Sequence, residues 1–296
     1  MHIGFSFIRQ GVALEMFSRH AAQLCVHAEQ MGYESCWISE HLIKPTKLPH
    51  SHPHSPGGKS TAAPETELYD PWVALATVAA LTKRLKLGTN VFVLPLRNPF
   101  ATARAVSTLD VLSGGRVIMG TGVGWLEPEF DIVGENFHTR GARTDEIIEI
   151  IRRLWIDENV EFHGKFYDFQ SCRFEPKPIQ KPTPPLLGSG SAKAALQRAA
   201  RLCDGWIADP ATAGDLDLLE RAVNEIRRLR EECGRAHLPY QIQTVIDFKA
   251  DQQTRQRLAN IGVTRAVIWP LRPVPPGADG LAQDVADLES AARLWL

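Results

Sequence analysis

The chain has 296 residues and 44% of them are hydrophobic, so it is long and apolar enough to bury a large core. Its 33 Lys and Arg residues nearly cancel its 34 Asp and Glu residues, which argues against a nucleic acid or an anionic membrane as partner and favours a small-molecule substrate. The five cysteines form no CxxC pair, and the sequence has no signal-peptide pattern and no apolar run of about 20 residues, so we expect a cytoplasmic protein.

Strand-like apolar runs alternate with segments of helical periodicity along the chain. Gly32 is placed to end the first helix, and Asp70-Pro71 and Asn98-Pro99 are typical of helix N-termini, with a capping side chain before a first-turn proline. The predicted strands are 2–7, 35–39, 85–93, 116–122, 185–189, 205–208, 240–248 and 264–269. The predicted helices are 14–28, 70–82, 99–113, 143–155, 192–203, 215–232, 252–259 and 281–294.

Eight strands that alternate with eight helices predict a closed (β/α)8 TIM barrel of the α/β class, formed as a single domain by residues 1–296. The alternative is an open doubly wound sheet, which usually has a glycine-rich turn after its first strand, whereas Ile-Arg-Gln-Gly follows Phe7 here. Three insertions exceed ordinary connections: 41–69 after strand 2, 123–140 after strand 4 and 157–184 before strand 5. The third contains a predicted β-hairpin around Gly164.

Active sites of such barrels lie at the carboxyl ends of the strands, so the residues at those ends are candidates for the functional site. They are Ser6, Glu40, His41, Asn90, Thr121, Gly122, Ser189, Gly190, Asp209, Asp247 and Trp269. Glu40 and His41 form the only adjacent carboxylate and imidazole pair among them, which suits proton transfer or hydrogen bonding to a heterocycle. The alternative is that His41 is an ordinary loop residue whose imidazole forms hydrogen bonds with solvent or backbone, because such a residue would give the same sequence pattern.

Two glycine-containing segments that follow strands could approach a ligand closely. Gly188-Ser189-Gly190-Ser191 precedes a helix, so its N–H groups and the helix dipole favour a phosphate. A tight turn with Ser191 as the helix N-cap is the alternative. The alternating glycines of Gly120-Thr121-Gly122-Val123-Gly124 would let a flat ring pack on bare backbone.

Histidine is a common zinc ligand, and the first insertion contains several of them: His41, His50, His52 and His54. A Pro-rich surface loop has the same pattern without the defined geometry of a metal site. We therefore predict no metal site.

Four segments carry a resemblance to a known family: 29–41 (EQMGYESCWISEH), 70–77 (DPWVALAT), 87–99 (LGTNVFVLPLRNP) and 108–116 (TLDVLSGGR). With the Gly-Ser-Gly-Ser turn and Asp204-Gly-Trp206 after them, they resemble the luciferase-like flavin- or deazaflavin-dependent oxidoreductases, most of all the actinobacterial type assigned to coenzyme F420. The resemblance extends from the first strand to about Asp209 and implies the barrel fold and a homodimer.

The resemblance implies that the cofactor lies across the carboxyl end of the barrel, with its phosphate near Gly188 to Ser191. The residues assigned to the cofactor on this basis are Ser6, Thr89, Asn90, Val91, Thr121, Gly122, Val123, Gly188, Ser189, Gly190 and Ser191. A cis peptide bond between Asn90 and Val91 is implied as well. The implied reaction is hydride transfer between F420 and a small organic substrate, with His41 supplying or accepting a proton and Glu40 orienting it.

The sequence departs from related enzymes at three positions, which leaves the cofactor and the reaction open. Trp125 replaces a glutamate found in some F420 enzymes, and Pro45 replaces a tryptophan. Val123 replaces an arginine of bacterial luciferase, for which Arg140 could substitute. The alternatives are an FMN-dependent monooxygenase and a non-catalytic flavin-binding protein.

Overall fold

The computed structural model describes residues 1–7, 14–46, 69–247, 250–269 and 280–296. The strands are β1 (His2–Ser6), β2 (Ser35–Ile38), β3 (Lys86–Thr89), β4 (Phe92–Val93), β5 (Val117–Gly122), β6 (Val160–His163), β7 (Asp168–Cys172), β8 (Leu186–Ser189), β9 (Gly205–Ile207), β10 (Gln241–Ile246) and β11 (Arg265–Ile268). The helices are α1 (Leu14–Met31), α2 (Pro71–Leu81), α3 (Pro99–Ser113), α4 (Glu127–Val133), α5 (Arg140–Ile156), α6 (Lys193–Leu202), α7 (Pro210–Ala213), α8 (Leu216–Glu232), α9 (Gln252–Ile261) and α10 (Gly280–Trp295).

The strands form a closed parallel barrel, as the sequence predicted. Its order is β3, β2, β1, β11, β10, β9, β8 and β5, and a pairing between β3 and β5 closes it. β4 continues the third barrel strand and pairs with β5. Helices α1, α2, α3, α5, α6, α8 and α9 pack against one another in this order outside the barrel, and α10 packs on α1. The result is a TIM barrel with its helices outside.

The predicted helix signals have the expected geometry. Asp70 accepts hydrogen bonds from the N–H groups of Trp72 and Val73, and Asn98 accepts them from Phe100 and Ala101. Each cap is followed by proline, whose missing N–H costs nothing in a first helical turn. Gly32 and Gly114, which follow α1 and α3, have φ of +98° and +74°, which favours glycine.

The third insertion contains the predicted hairpin. β6 and β7 pair antiparallel, and Gly164 N–H donates to the carbonyl of Tyr167 over 2.8 Å. Asp110 of α3 fastens the segment that follows, since its carboxylate accepts from the N–H groups of Ile179 and Gln180 over 2.9 and 3.0 Å. The insertion is therefore folded onto the outside of the barrel.

Trp37 fills the middle of the barrel. Its ring is fully buried, in contact with a cluster that contains Ile118, Leu187, Ile207 and Val267. Glycine at position 88 is required for this packing, because a Cβ there would lie 2.3 Å from the indole. With its middle closed by side chains, the barrel leaves room for a ligand at its ends.

A buried ion pair lies at the amino end of the barrel. Arg265 on β11 donates two hydrogen bonds of 2.9 Å to Glu34, just before β2, and one of 2.7 Å to Gln241. This pairing satisfies a guanidinium that is almost completely buried.

The structure corrects several predicted boundaries. The third strand is not continuous over 85–93, because β3 ends at Thr89 and β4 begins at Phe92. Helices α4 and α7 lie in segments predicted as loops, and α5 begins at Arg140 rather than at Arg143. β10 ends at Ile246, and Phe248, the predicted end of that strand, lies outside the described residues.

None of the helices in the described ranges combines the length and the apolar character required to span a bilayer.

Candidate functional site

A cavity of about 310 Å³ opens at the carboxyl end of the barrel. Residues in the last part of the eight barrel strands, or just after them, line it: Ser6, Ser39, Glu40, His41, Asn90, Val91, Val93, Gly122, Val123, Gly124, Trp125, Ser189, Gly190, Ala208, Asp209, Pro210, Val245 and Trp269. Valine and tryptophan side chains supply apolar walls, while Ser6, Ser39, Asn90 and His41 supply hydrogen-bonding groups. Such a combination suits a small organic ligand with a polar edge.

Most residues predicted for the site lie in this cavity. Ser6, Glu40, His41, Asn90, Val91, Gly122, Val123, Ser189 and Gly190 all line it, as do Asp209 and Trp269. Thr89, Thr121, Gly188, Ser191 and Asp247 do not.

Four of the residues that do not line the cavity have contacts or positions that explain their absence from it. The hydroxyl of Thr89 donates to the carbonyl of Gly120 over 2.7 Å, and that of Thr121 donates to the carbonyl of Phe92 over 3.2 Å. Gly188 backs onto α6, where a Cβ would lie 3.1 Å from the sulfur of Cys203. Ser191 is exposed at the rim.

The imidazole of His41 is held by a carboxylate that the sequence did not single out. His41 Nδ1 lies 2.9 Å from Oε2 of Glu129, which is completely buried in α4. Oε1 of Glu129 accepts from the N–H groups of Leu42 and Ile43 over 2.6 and 3.3 Å. The ring of Trp125 stands edge-on to the imidazole, with centroids 6.0 Å apart.

Glu40 has different partners from the one predicted. One of its oxygens accepts from Val93 N–H over 2.8 Å, and the other accepts from the guanidinium of Arg97. Burial raises the pKa of Glu40 to about 7, although Arg97 and the Val93 N–H act in the opposite direction. The Glu40 carboxylate thus binds β4 and the turn after it, and the contacts that orient His41 come from Glu129.

The third barrel strand is interrupted at the cavity. The Asn90-Val91 peptide is cis, as the resemblance implied, and both residues line the cavity. A Cβ on Gly122 would lie 2.7 Å from the side chain of Val91, and one on Gly120 would lie 1.9 Å from the carbonyl oxygen of Thr89. Packing of this interrupted strand therefore accounts for two of the alternating glycines, where the sequence suggested a flat ring.

Ser189 and Gly190 of the Gly188-Ser189-Gly190-Ser191 segment form another part of the cavity wall. Gly190 has φ of +105°, its carbonyl accepts from Trp206 Nε1 over 2.9 Å, and the hydroxyl of Ser189 donates to the carbonyl of Ile207. The N-cap of α6 is Ala192, which provides no side-chain acceptor, so the proposed capping by Ser191 is wrong. The first turn of α6 has no side-chain cap and is suited to an anion.

Arg140, considered as a substitute for a phosphate-binding arginine, lies behind the rim. Its Nε donates to the carbonyl of Gly124 over 3.0 Å and its Nη1 donates to that of Phe137 over 2.9 Å. No Lys or Arg is among the described residues that line the cavity. An anionic group there would depend on backbone N–H groups.

The zinc hypothesis concerned residues outside the described part, since His50, His52 and His54 fall in 47–68. Within the described ranges, no group of three or more His, Cys, Asp or Glu side chains is arranged to hold a metal ion. The expectation of no metal site stays a prediction.

Sequence reasoning missed Glu129, although a signal for its helix was present. Pro128 is preceded and followed by glutamate, and proline with acidic residues is typical of a first helical turn. This pattern predicts α4 within the second insertion. It does not predict contact with His41, which is 88 residues away in the sequence.

Comparison with known proteins gives consistent matches. A family model described as luciferase-like monooxygenase matches residues 3–280. An uncharacterised protein of Mycobacterium tuberculosis is 35% identical over 252 residues, which cover 85% of each chain. An F420-dependent glucose-6-phosphate dehydrogenase of Amycolatopsis mediterranei is 34% identical over 215 residues, which cover 70% of this chain and 59% of the relative.

Solved structures show the same fold at low sequence identity. Monooxygenase RslO1 from Streptomyces bottropensis has a TM-score of 0.77 at 19% identity, covering 100% of this chain and 98% of its own. The coenzyme F420-dependent tetrahydromethanopterin reductase of Methanopyrus kandleri has a TM-score of 0.75 at 18% identity, covering 99% and 97%.

Proposed function

Because the chain belongs to the luciferase-like monooxygenase family, we propose that it is an F420-dependent oxidoreductase that exchanges hydride with a small organic substrate at the carboxyl end of the barrel. The observation that carries the proposal is the cavity where His41, held by a buried carboxylate, lies among apolar walls. The 34% identity to an F420-dependent dehydrogenase favours F420 over FMN.

The residues present fit a deazaflavin. Val91, Val123 and Trp125 offer apolar contact for a flat ring system, and Ser6 and Asn90 offer hydrogen bonds to its polar edge. The uncapped start of α6 beside Ser189 and Gly190 would take the negatively charged part of the cofactor. F420, when bound, would supply the group that accepts or donates the hydride.

His41 is the residue proposed to handle the proton. Its Nδ1 faces Glu129, so Nε2 is the nitrogen left for a molecule in the cavity, and no described residue bonds to it. At Nε2 the imidazole would accept the proton released when an alcohol is oxidised, or return it in the reverse direction. The apolar walls would exclude water from this exchange.

Titration of the purified protein with F420 and, separately, with FMN tests the choice of cofactor. Trp125 and Trp269 line the cavity, so a bound ring should quench intrinsic fluorescence, and the quenching should be smaller in Trp125→Phe. Micromolar or tighter binding of F420 with weak FMN binding is expected. The reverse preference would overturn the proposal and favour an FMN-dependent monooxygenase, for which oxygen uptake is the next assay.

Replacement of His41 tests its assignment. His41→Ala should lower turnover at least tenfold while changing the dissociation constant of F420 much less, because the ring nitrogen acts on the reacting proton. His138→Ala is a matched control, since that side chain is 82% exposed outside the cavity. Unchanged turnover in His41→Ala would remove the residue from the mechanism.

We also propose that the protein is a homodimer that uses the outer face of α2 and α3. α2 is apolar on all sides, and Val73, Leu81 and Leu112 on the two helices are 70%, 52% and 72% exposed. Sedimentation analysis of Val73→Glu/Leu112→Glu should show a monomer where the wild type is a dimer. Ile156→Glu, an exposed site at the end of α5, is the control. A monomeric wild type would reject this proposal.

A further inference from the structure

Glu129 holds both a side chain and the backbone of the segment that follows β2. Its carboxylate receives three hydrogen bonds from three consecutive residues: the imidazole of His41 and the N–H groups of Leu42 and Ile43. The residue is completely buried, so both oxygens depend on these donors. One carboxylate thereby fixes the backbone after β2 and the side chain that faces the cavity.

The position of Glu129 is set by the packing of α4. Phe130, the next residue, is fully buried in a cluster with Val93 and Leu96. Its ring makes an edge-to-face contact with that of Phe137. A Cβ on Gly124 would lie 2.8 Å from the Phe130 ring, so this turn needs glycine. Because Phe130 anchors the helix, Glu129 is directed towards the segment after β2.

We infer that Glu129 is the positioning residue that selects the tautomer of His41, with the proton on Nδ1 and a lone pair on Nε2 in the cavity. A carboxylate that accepts from Leu42 and Ile43 has only acceptor sites, so a neutral imidazole in contact with it must donate from Nδ1. The consequence for function rests on the proposed role of His41: only this tautomer can accept a proton at Nε2.

The neighbouring carboxylate cannot take this role. Glu40 adjoins His41 in the sequence, but its two oxygens accept from Val93 N–H and Arg97. Glu40→Gln is therefore the matched control for Glu129→Gln, since each removes one buried carboxylate near the cavity and only one of them removes a partner of His41.

Glutamine at position 129 should reverse the tautomer. Its single side-chain oxygen can accept from Leu42 N–H, and its amide nitrogen then faces His41 and can only donate. The imidazole must in turn become an acceptor at Nδ1 and carry its proton on Nε2. Shape and size are preserved, so a purely structural role of Glu129 would leave the tautomer unchanged.

The test is a long-range ¹H–¹⁵N NMR spectrum of the full chain labelled at its histidine rings, recorded where the His41 ring is neutral. The His41 signals are those missing in His41→Gln. The expected results are the Nδ1–H tautomer in the wild type and Glu40→Gln, and the Nε2–H tautomer in Glu129→Gln. An Nε2–H tautomer in the wild type, or an unchanged tautomer in Glu129→Gln, would overturn the inference.

If Glu129→Gln does not fold, the wild-type spectrum still tests the inference, because an Nε2–H tautomer there would overturn it. Because the measurement needs no cofactor, it stands apart from the F420 titration. An Nδ1–H wild type that binds FMN and not F420 would reject the proposed cofactor and support the role of Glu129. An Nε2–H wild type that binds F420 would support the proposed cofactor and reject the role of Glu129.

Discussion

Glu34→Gln should remove a stabilising ion pair at the amino end of the barrel. It should also reduce the loss of unfolding free energy that the protein undergoes at low pH. Arg265 donates to both oxygens of Glu34, and Lys86 Nζ lies 3.0 Å from one of them. Burial raises the pKa of Glu34, but the hydrogen bonds and charge of Arg265 outweigh it, and the pKa falls from its ordinary 4.5 to about 2.

This difference in pKa corresponds to about 3 kcal/mol of stability, at about 1.4 kcal/mol for each pKa unit. The folded state binds the proton less tightly than the unfolded chain, so the stabilisation is complete above about pH 4.5 and is lost as the pH falls towards 2. Between pH 7 and about pH 3.5, the wild type should lose about 1.4 kcal/mol through Glu34 alone. Glu34→Gln cannot lose it, because glutamine does not titrate.

Urea unfolding followed by tryptophan fluorescence at pH 7 and pH 3.5 measures both effects. Glu34→Gln should be less stable than the wild type by about 3 kcal/mol at pH 7, since Arg265 stays buried without its counter-charge. That gap should shrink by about 1.4 kcal/mol at the lower pH. Glu158→Gln, which breaks an exposed pair with Arg173, should follow the wild type. An equal gap at both pH values would refute the reasoning from the pKa of Glu34.

Two further predictions concern packing and the third insertion. Gly88→Ala should lower the free energy of unfolding by about 1–3 kcal/mol, because its Cβ would overlap the Trp37 indole; Gly214→Ala, where the nearest atom is 3.3 Å away, should cost less in the same urea titration. Asp110→Ala should speed hydrogen exchange at the N–H groups of Ile179 and Gln180, which lose their acceptor. Asp168→Ala, on the exposed hairpin, should leave exchange in that peptide unchanged, and equal rates in both variants would contradict the assigned contact.

The barrel was predictable from the sequence because its signals are local. A capping side chain followed by proline starts α2 and α3, and a glycine of positive φ follows α1 and α3, so the element order could be read without knowledge of contacts. The alternation of strand and helix then left few arrangements besides a closed barrel. The break in the third strand was different, because Asn90 and Val91 look like ordinary strand residues; the family resemblance alone indicated their cis peptide.

The location of the site followed from the fold, while its internal contacts did not. Residues at the carboxyl ends of parallel strands converge whatever their side chains, and so Ser6, Asn90 and Ser189 line one cavity as expected, while their role in binding stays a prediction. Thr89 and Thr121 were assigned to the cavity because they lie near strand ends, but neither lines it, and their hydroxyls donate to the carbonyls of Gly120 and Phe92 on neighbouring strands.

The predicted partner of His41 was wrong for a reason that no local pattern shows. Glu40 and His41 lie beyond the end of β2 at Ile38 and both line the cavity, so the alternation of side chains along a strand does not decide their contacts. Glu40 projects towards β4 and is bound by Val93 N–H and Arg97, which leaves His41 to be held from another element. The insertion after β5 supplies that element in α4. Adjacency in the sequence therefore did not establish a contact here, because Glu40 is bound by β4 and the turn after it while His41 is held by an acid from a neighbouring insertion.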